Sequence, residues 1–181
     1  MYLHKMYGFL AAMLMAVATV AAIAQQPAAK PAAPNNPNAN LVHQLEQPNK
    51  TVTYTSAADV AALIARAKTE SKDDSQMVVG NILKLAPYSV LLEYRPAGRV
   101  KFPAGTHPKD AELFYVIDGS GTLVTGGTLA ADHMSIDGGN AQKIGKGDFI
   151  LIPEGTPHWF TQVDKTLELM SVHVPRPVPA Q

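Results

Sequence analysis

The 181-residue sequence contains no cysteine, only one tryptophan and no excess charge of either sign. The lack of cysteine excludes disulfide bridges and thiolate metal ligands. Fifteen basic residues balance fifteen acidic ones, and no basic patch with interleaved aromatic residues occurs, so nothing indicates nucleic-acid binding. Apolar residues make up 46% of the chain, which is enough to build a full hydrophobic core.

The chain begins with a segment typical of export. A weakly basic start at His4 and Lys5 precedes an apolar run over residues 6–24. This run ends in small residues at positions 22 and 24, which is the pattern of a secretory signal peptide with its cleavage site. We therefore predict a signal peptide at residues 1–24 and an exported protein, periplasmic or secreted, with no stable membrane insertion after cleavage. An uncleaved membrane anchor is the alternative.

The next stretch, residues 25–40 (QQPAAKPAAPNNPNAN), is too poor in large apolar side chains to build a core, and it is predicted to be a linker. Residues 41–181 are predicted to form the folded domain. It is expected to start with a short strand around residues 51–54. A helix is predicted over residues 56–68, because Ser56 and Asp59 form an N-terminal capping pair ahead of an apolar face.

From residue 76 onward, short apolar runs alternate with glycine and proline turns. Such a density of turn signals predicts an all-β fold, an antiparallel sandwich or barrel. Residues 118–121 are predicted to form a hairpin turn, and residues 128–143 an irregular excursion. The predicted strands cover residues 77–85, 89–94, 113–117, 121–125, 148–152, 158–162 and 166–174.

Two segments carry a family resemblance. Residues 98–121 (GRVKFPAGTHPKDAELFYVIDGSG) resemble the first motif of the cupin superfamily, with His107 and Glu112 followed by six residues and Gly119. Residues 147–162 (GDFILIPEGTPHWFTQ) resemble the second motif. The positions that match the second motif are Gly147, Pro153, Gly155 and His158.

The resemblance extends over about residues 86–175 and implies an antiparallel jelly-roll barrel, here with a short N-terminal helix. It implies that His107, Glu112 and His158 bind one divalent transition metal, with iron, manganese, copper, nickel and zinc all open. The chain departs from the pattern twice. Gly105 stands where the first motif has another histidine, and Gln162 stands where the second motif has asparagine.

Alternation along the strands supports this ligand set. Glu112 and Phe114 share one strand face, and His158, Phe160 and Gln162 share another. A carboxylate that points into an apolar barrel is costly unless it is paired or bound to a metal. We therefore predict that Phe114 and Phe160 line a substrate pocket and that Gln162 forms a hydrogen bond to the bound ligand.

Other residues receive structural predictions. Trp159 alternates away from His158 and is predicted to lie on the outside or at a subunit contact. His173 ends the last predicted strand, from which it could point inward. Glycine in place of histidine at position 105 would leave room for substrate or water. The same replacement would be expected in a cupin that has lost its metal.

Several functions remain open. The resemblance implies a metal-binding cupin. The first hypothesis is a mononuclear metal-dependent enzyme of the oxygenase, lyase or isomerase type. Its substrate would be a small organic molecule or a carbohydrate. A non-catalytic module that binds a small molecule, with or without metal, is the alternative. A third possibility is a barrel that only scaffolds dimerisation. The resemblance also implies a homodimer.

Overall fold

The structure, a computed structural model, describes residues 42–47, 49–72, 76–99 and 102–176. The predicted signal peptide and linker lie outside the described residues, all of which belong to one unit, residues 35–181. In chain order the elements are β1 (Val42–Gln44), α1 (Ala57–Glu70), β2 (Met77–Leu85), β3 (Tyr88–Arg95), β4 (Gly98–Arg99), β5 (Asp110–Thr125), β6 (Thr128–Leu129), β7 (Ile136–Asp137), β8 (Asn140–Gly145), β9 (Phe149–Ile152) and β10 (His158–Pro175).

Two long strands, β5 and β10, organise the fold. They pair antiparallel along nearly their whole length, with four register shifts that bend the pair. Strands β3 and β4 pair with β10 on one side, and β8 and β9 pair with β5 on the other. Because both long strands bend, the sheet curls over an apolar interior, and the predicted all-β jelly roll is confirmed.

The hairpin predicted at residues 118–121 is wrong. The chain does not reverse there, and residues 113–117 and 121–125 belong to the single strand β5. Gly119 adopts a φ of 95°, and a Cβ at this position would lie only 2.0 Å from the carbonyl oxygen of Thr166. Glycine is therefore required because β5 bends against the backbone of β10, and not because it ends a strand.

The bend in β10 has the same consequence for the predicted strand pattern. Residues 158–162 and 166–174, predicted as two strands, lie in one strand of 18 residues. The register shifts between residues 160 and 169 bend β10 without ending the strand. The excursion predicted at residues 128–143 contains the small β6–β7 pair and the start of β8.

The N-terminal part of the domain packs against the outside of the barrel. Helix α1 begins after Ser56, whose side chain accepts a hydrogen bond from the backbone N–H of Asp59 while Asp59 reaches back in a capping box. The predicted helix is thus confirmed. The strand predicted at residues 51–54 is not formed; Val52 makes only an isolated bridge to Lys84, and β1 pairs with β2 in parallel instead.

Two apolar cores result. One lies between α1 and the sheet and includes Ala67, Val78 and Leu92. The other fills the barrel, and its buried members are Phe102, Phe114, Val116, Leu123, Ile144, Ile152, Phe160, Val163, Leu167 and Leu169. Across the residues that the structure describes, no helix combines the length and apolarity needed to cross a membrane.

Candidate metal centre

Glu112 is a carboxylate inside the barrel. It follows the start of β5 and alternates inward with Phe114 and Val116, and only 2% of its surface is exposed. One carboxylate oxygen, Oε1, accepts a hydrogen bond of 2.5 Å from the hydroxyl of Ser171, which is itself fully buried. A charge at this depth requires partners, because removing a carboxylate from water is costly.

Two histidines from separate loops meet the other carboxylate oxygen. The Nε2 atoms of His107 and His158 each lie 3.2 Å from Oε2 of Glu112. Backbone hydrogen bonds fix this arrangement, since Gly105 and His158 bond each other in both directions and the carbonyl of His107 accepts from the N–H of Gly155. The two motif loops are therefore joined to each other directly. The predicted set of His107, Glu112 and His158 is brought together.

A third histidine, His173, completes the cluster from β10. It stands directly opposite Glu112 in the β5–β10 register, and its Nε2 lies 3.5 Å from Oε1. One ligand atom from each of His107, Glu112 and His173 can be chosen so that all lie within 4.8 Å of one another. His173 shares its strand face with Leu169 and Ser171, so the β10 alternation carries it into the barrel.

The polar atoms nearest to Oε2 of Glu112 are the imidazole nitrogens of His107 and His158. Nδ1 of His158 lies 3.2 Å from the carbonyl oxygen of Thr156, and because a carbonyl only accepts, Nδ1 carries the proton. In this tautomer of the neutral imidazole, the lone pair of Nε2 faces the carboxylate. Oε2 is buried and, within the described part of the chain, has no hydrogen-bond partner. A nitrogen and an oxygen that face each other at this distance need either a proton or a metal cation between them.

The spacing of these atoms fits a transition metal. Two ligand atoms that are each about 2.1 Å from one ion lie about 3.0 Å apart at a right angle and about 3.4 Å apart at a tetrahedral angle. The two separations of 3.2 Å between imidazole nitrogen and carboxylate oxygen fall between these values. Nitrogen and oxygen donors of this kind suit iron, manganese, copper, nickel and zinc alike.

The electrostatics of the cluster favour an ionised Glu112. Burial raises the pKa of this carboxyl, but the neighbouring imidazoles of His107 and His158 and the hydroxyl of Ser171 outweigh burial and hold the pKa far below its ordinary value. In turn the carboxylate of Glu112 raises the pKa of His107, against the effect of burial. The site thus keeps one permanent negative charge to attract a cation.

The cluster lines a small cavity of about 200 Å³. Phe114 and Phe160, which were predicted to line a substrate pocket, form part of its wall. Gln162 does not: its amide donates to the carbonyl of Val163, and it is absent from the lining. A bulge between Phe160 and Gln162 shifts the alternation by one residue, so that Val163 takes the inward position and the predicted placement of Gln162 is wrong.

The tryptophan is also placed differently. Trp159, predicted on the outside or at a subunit contact, is half-buried and lines the cavity, and its indole N–H donates to the carbonyl of Phe102 at 2.9 Å. Larger surface grooves of about 440 and 490 Å³ lie around Asn49 and Lys84. Neither groove is lined by a histidine or by a buried carboxylate, so the smaller cavity is the chemically equipped one.

Sequence reasoning missed several residues of this cavity. Glu93 and Arg95 on β3 line it, although the predicted strand ended at residue 94 and no role was predicted for either residue. Ser171 was not singled out at all. The inward alternation of residues 167, 169, 171 and 173 along one strand could have indicated that Ser171 and His173 face the barrel.

Comparison with known proteins agrees with this geometry. The sequence profile of a family described as a cupin domain matches residues 91–173, which include all four members of the cluster. Residues 91–173 of the chain therefore form a cupin domain. In cupin terms, Gly105 marks the position of the absent motif histidine, and a Cβ there would lie 3.9 Å from Nε2 of His158.

Among curated proteins, this cupin is similar to the acireductone dioxygenase of Leptospira biflexa serovar Patoc, with 40% identity over 63 residues. The match covers 35% of this chain and 30% of that relative, so the cupin spans less than a third of the relative's length.

Two solved structures are similar to this cupin. The Schizosaccharomyces pombe Cnp3 cupin domain has 14% identity and a TM-score of 0.45, over 60% of this chain and 72% of that one. A predicted oxalate decarboxylase from Thermotoga maritima has 17% identity and a TM-score of 0.44, over 55% of this chain and 81% of that one.

Proposed function

We propose that this cupin binds one divalent transition metal in the barrel and uses it as a mononuclear metal-dependent enzyme on a small organic substrate. The observation that carries the proposal is the buried oxygen Oε2 of Glu112, which has two imidazole nitrogens at 3.2 Å and, among the described residues, no hydrogen bond of regular geometry. A cluster evolved only for stability would be expected to satisfy that oxygen with a donor.

The residues divide into ligands and supports. His107, Glu112 and His158 would bind the metal, and His173 would contribute from the side of the cluster opposite the motif loops. Ser171 orients Glu112 through Oε1, and the carbonyl of Thr156 keeps Nε2 of His158 free of its proton.

A divalent metal with open coordination positions supplies Lewis-acid or redox activation of a substrate. Around it, the rings of Phe114, Phe160 and Trp159 limit the entry of water and shape the cavity. The small volume restricts the substrate to a compact molecule. Iron, manganese, copper, nickel and zinc all remain candidates for the cofactor.

Elemental analysis of purified variants tests the metal site. About one metal per chain is expected in the wild-type protein, with loss of metal in His107→Ala and His158→Ala. The matched control is His43→Ala, since His43 on β1 pairs with Glu70 of α1 outside the barrel. Full metal content in both barrel variants, with the control unchanged, would contradict the site.

A non-catalytic module that binds a small molecule or sugar is the second candidate, and Gly105 favours it because the chain lacks one motif histidine. Turnover assays on metal-loaded protein with a panel of small organic acids and sugars, with and without dioxygen, separate the two. Ligand binding without turnover across that panel would favour the module.

Export and dimerisation complete the proposal. The pattern of residues 1–24 supports export, and the mass of the protein recovered from its native compartment would reveal cleavage after residue 24. For the homodimer, Phe149 and Leu151 on β9 are 68% and 60% exposed and offer an apolar edge. Analytical ultracentrifugation of Phe149→Glu and Leu151→Glu variants would show whether this edge is used.

A further inference from the structure

An ion pair of β3 points into the same barrel. Glu93 and Arg95 stand opposite Leu169 and Leu167 in the β3–β10 register, and both leucines are completely buried. The side chains of Glu93 and Arg95 are 8% and 11% exposed. Leu92 and Tyr94, which alternate with them, belong to the core under helix α1. The charged side chains of β3 therefore lie on its barrel face.

Stability does not explain such a pair. Taking two charges out of water costs as much as their attraction returns, and apolar residues of similar size serve a core equally well. The neighbouring interior positions are filled by leucine and phenylalanine. A charged pair at this place is therefore better explained by something that it binds.

The guanidinium of Arg95 is held in place by Glu93 and Phe160, and only some of its N–H donors form hydrogen bonds. Its Nε and Nη2 atoms donate to a single oxygen of Glu93, at 3.0 and 2.7 Å. Its carbon lies 4.2 Å from the centroid of the Phe160 ring, in a cation–π contact. A guanidinium carries five N–H donors, and within the described residues Nη1 has no hydrogen-bond partner.

Charge balance in the cavity points to an anion. The cavity is lined by Glu93, Arg95 and Glu112 together with the histidines. When a divalent cation is bound by neutral imidazoles, the two carboxylates balance it, and the charge of Arg95 is left over. One negative charge on a ligand would neutralise the site.

We propose that Arg95, fixed by Glu93 and Phe160, binds the carboxylate of the substrate, so that the enzyme takes small monocarboxylates whose other end reaches the metal ligands. This inference rests on the proposed function. A planar guanidinium matches a carboxylate with paired donors. A cavity of about 200 Å³ is smaller than the roughly 300–1,000 Å³ of typical ligand pockets, which restricts the carboxylate to a few heavy atoms.

The test uses glycolate as the probe and glycolamide as its uncharged counterpart of similar size. Trp159, the one tryptophan of the chain, lines the cavity, so its fluorescence reports binding without requiring turnover. The variants are the double substitution Glu93→Gln with Arg95→Gln, which leaves no unpaired charge inside, and the single substitution Glu93→Gln. Metal content and thermal unfolding are measured for each protein.

Wild-type protein is expected to bind glycolate in preference to glycolamide. The double variant should weaken glycolate binding by about tenfold or more, the effect of losing a charged hydrogen bond, with glycolamide and metal content unchanged. Glu93→Gln alone should keep or tighten glycolate binding, which a purely structural pair would not do.

Two results would overturn the inference: no preference for glycolate in the wild-type protein, or equal glycolate affinity in the double variant. Metal analysis distinguishes failure of the carboxylate-binding inference from failure of the proposed metal-dependent function. A protein without metal would refute the function, whereas glycolate binding that still depends on Arg95 would support the inference.

Discussion

Replacing Ser171 with alanine should weaken the metal site without touching a metal ligand. The hydroxyl of Ser171 is fully buried and donates to Oε1 of Glu112 at 2.5 Å, and it stands opposite Phe114 in the β5–β10 register. Its removal leaves the carboxylate free to turn away from His107 and His158. Losing such a support typically lowers metal affinity by about 10–100-fold, which corresponds to about 1.4–2.7 kcal/mol.

The same substitution should destabilise the metal-free protein. A hydrogen bond to a charged group contributes about 1.5–3 kcal/mol, and the other nitrogen near Oε1, Nε2 of His173, lies farther away at 3.5 Å. For a domain of this size each kcal/mol changes the melting temperature by about 3 °C. We therefore expect Ser171→Ala to melt about 5–9 °C lower without metal.

Competition with a chelator measures the affinity, and thermal unfolding of the metal-free protein measures the stability. The matched control is Ser120→Ala. Ser120 also lies on a long strand, β5, but it pairs with Gly145 of β8 and does not line the cavity. Metal affinity equal to that of the wild type in Ser171→Ala would refute the role of Glu112 as the anchor of the site.

Three further predictions follow from the same geometry. His173→Ala should lose metal affinity, and adding Gly105→His should restore it, because a side chain at position 105 starts 3.9 Å from Nε2 of His158; chelator competition measures both. The pKa of His107 is raised by Glu112, so the stability this pair gives the metal-free protein is complete below pH 6.5 and is lost as pH rises through the raised value. Since metal binding needs neutral imidazole, the rise in melting temperature on adding metal should be larger at pH 8 than at pH 6. Gly119→Ala should prevent folding, seen as loss of soluble protein, because its Cβ would lie 2.0 Å from a carbonyl oxygen; Gly138→Ala, with positive φ but open space, should cost only about 1–2 kcal/mol.

Local signals made much of the fold predictable. The capping pair before α1 and the glycine and proline turns around β2, β3 and β9 depend on neighbouring residues, and these elements lie where they were predicted. The clustering of His107, Glu112 and His158 was also predictable, because their spacing from glycines defines two loops. These loops are held together by the hydrogen bonds of Gly105 and Gly155.

What escaped prediction depends on strand pairing between distant parts of the chain. Gln162 turns away from the cavity because of a bulge against β5, which no local pattern records. His173 could point inward by its place in the strand, but only its register with Glu112 brings it beside that carboxylate. Arg95 likewise faces the barrel interior through its register with Leu167. Charged residues near the end of a strand are usually exposed, whereas Glu93 and Arg95 face the interior.

Anomalous scattering from crystals of metal-loaded protein tests the central claim most directly. The account predicts one strong peak per chain within coordination distance of Oε2 of Glu112 and Nε2 of both His107 and His158. A peak elsewhere on the molecule, or none in crystals of protein that contains metal by elemental analysis, would contradict it.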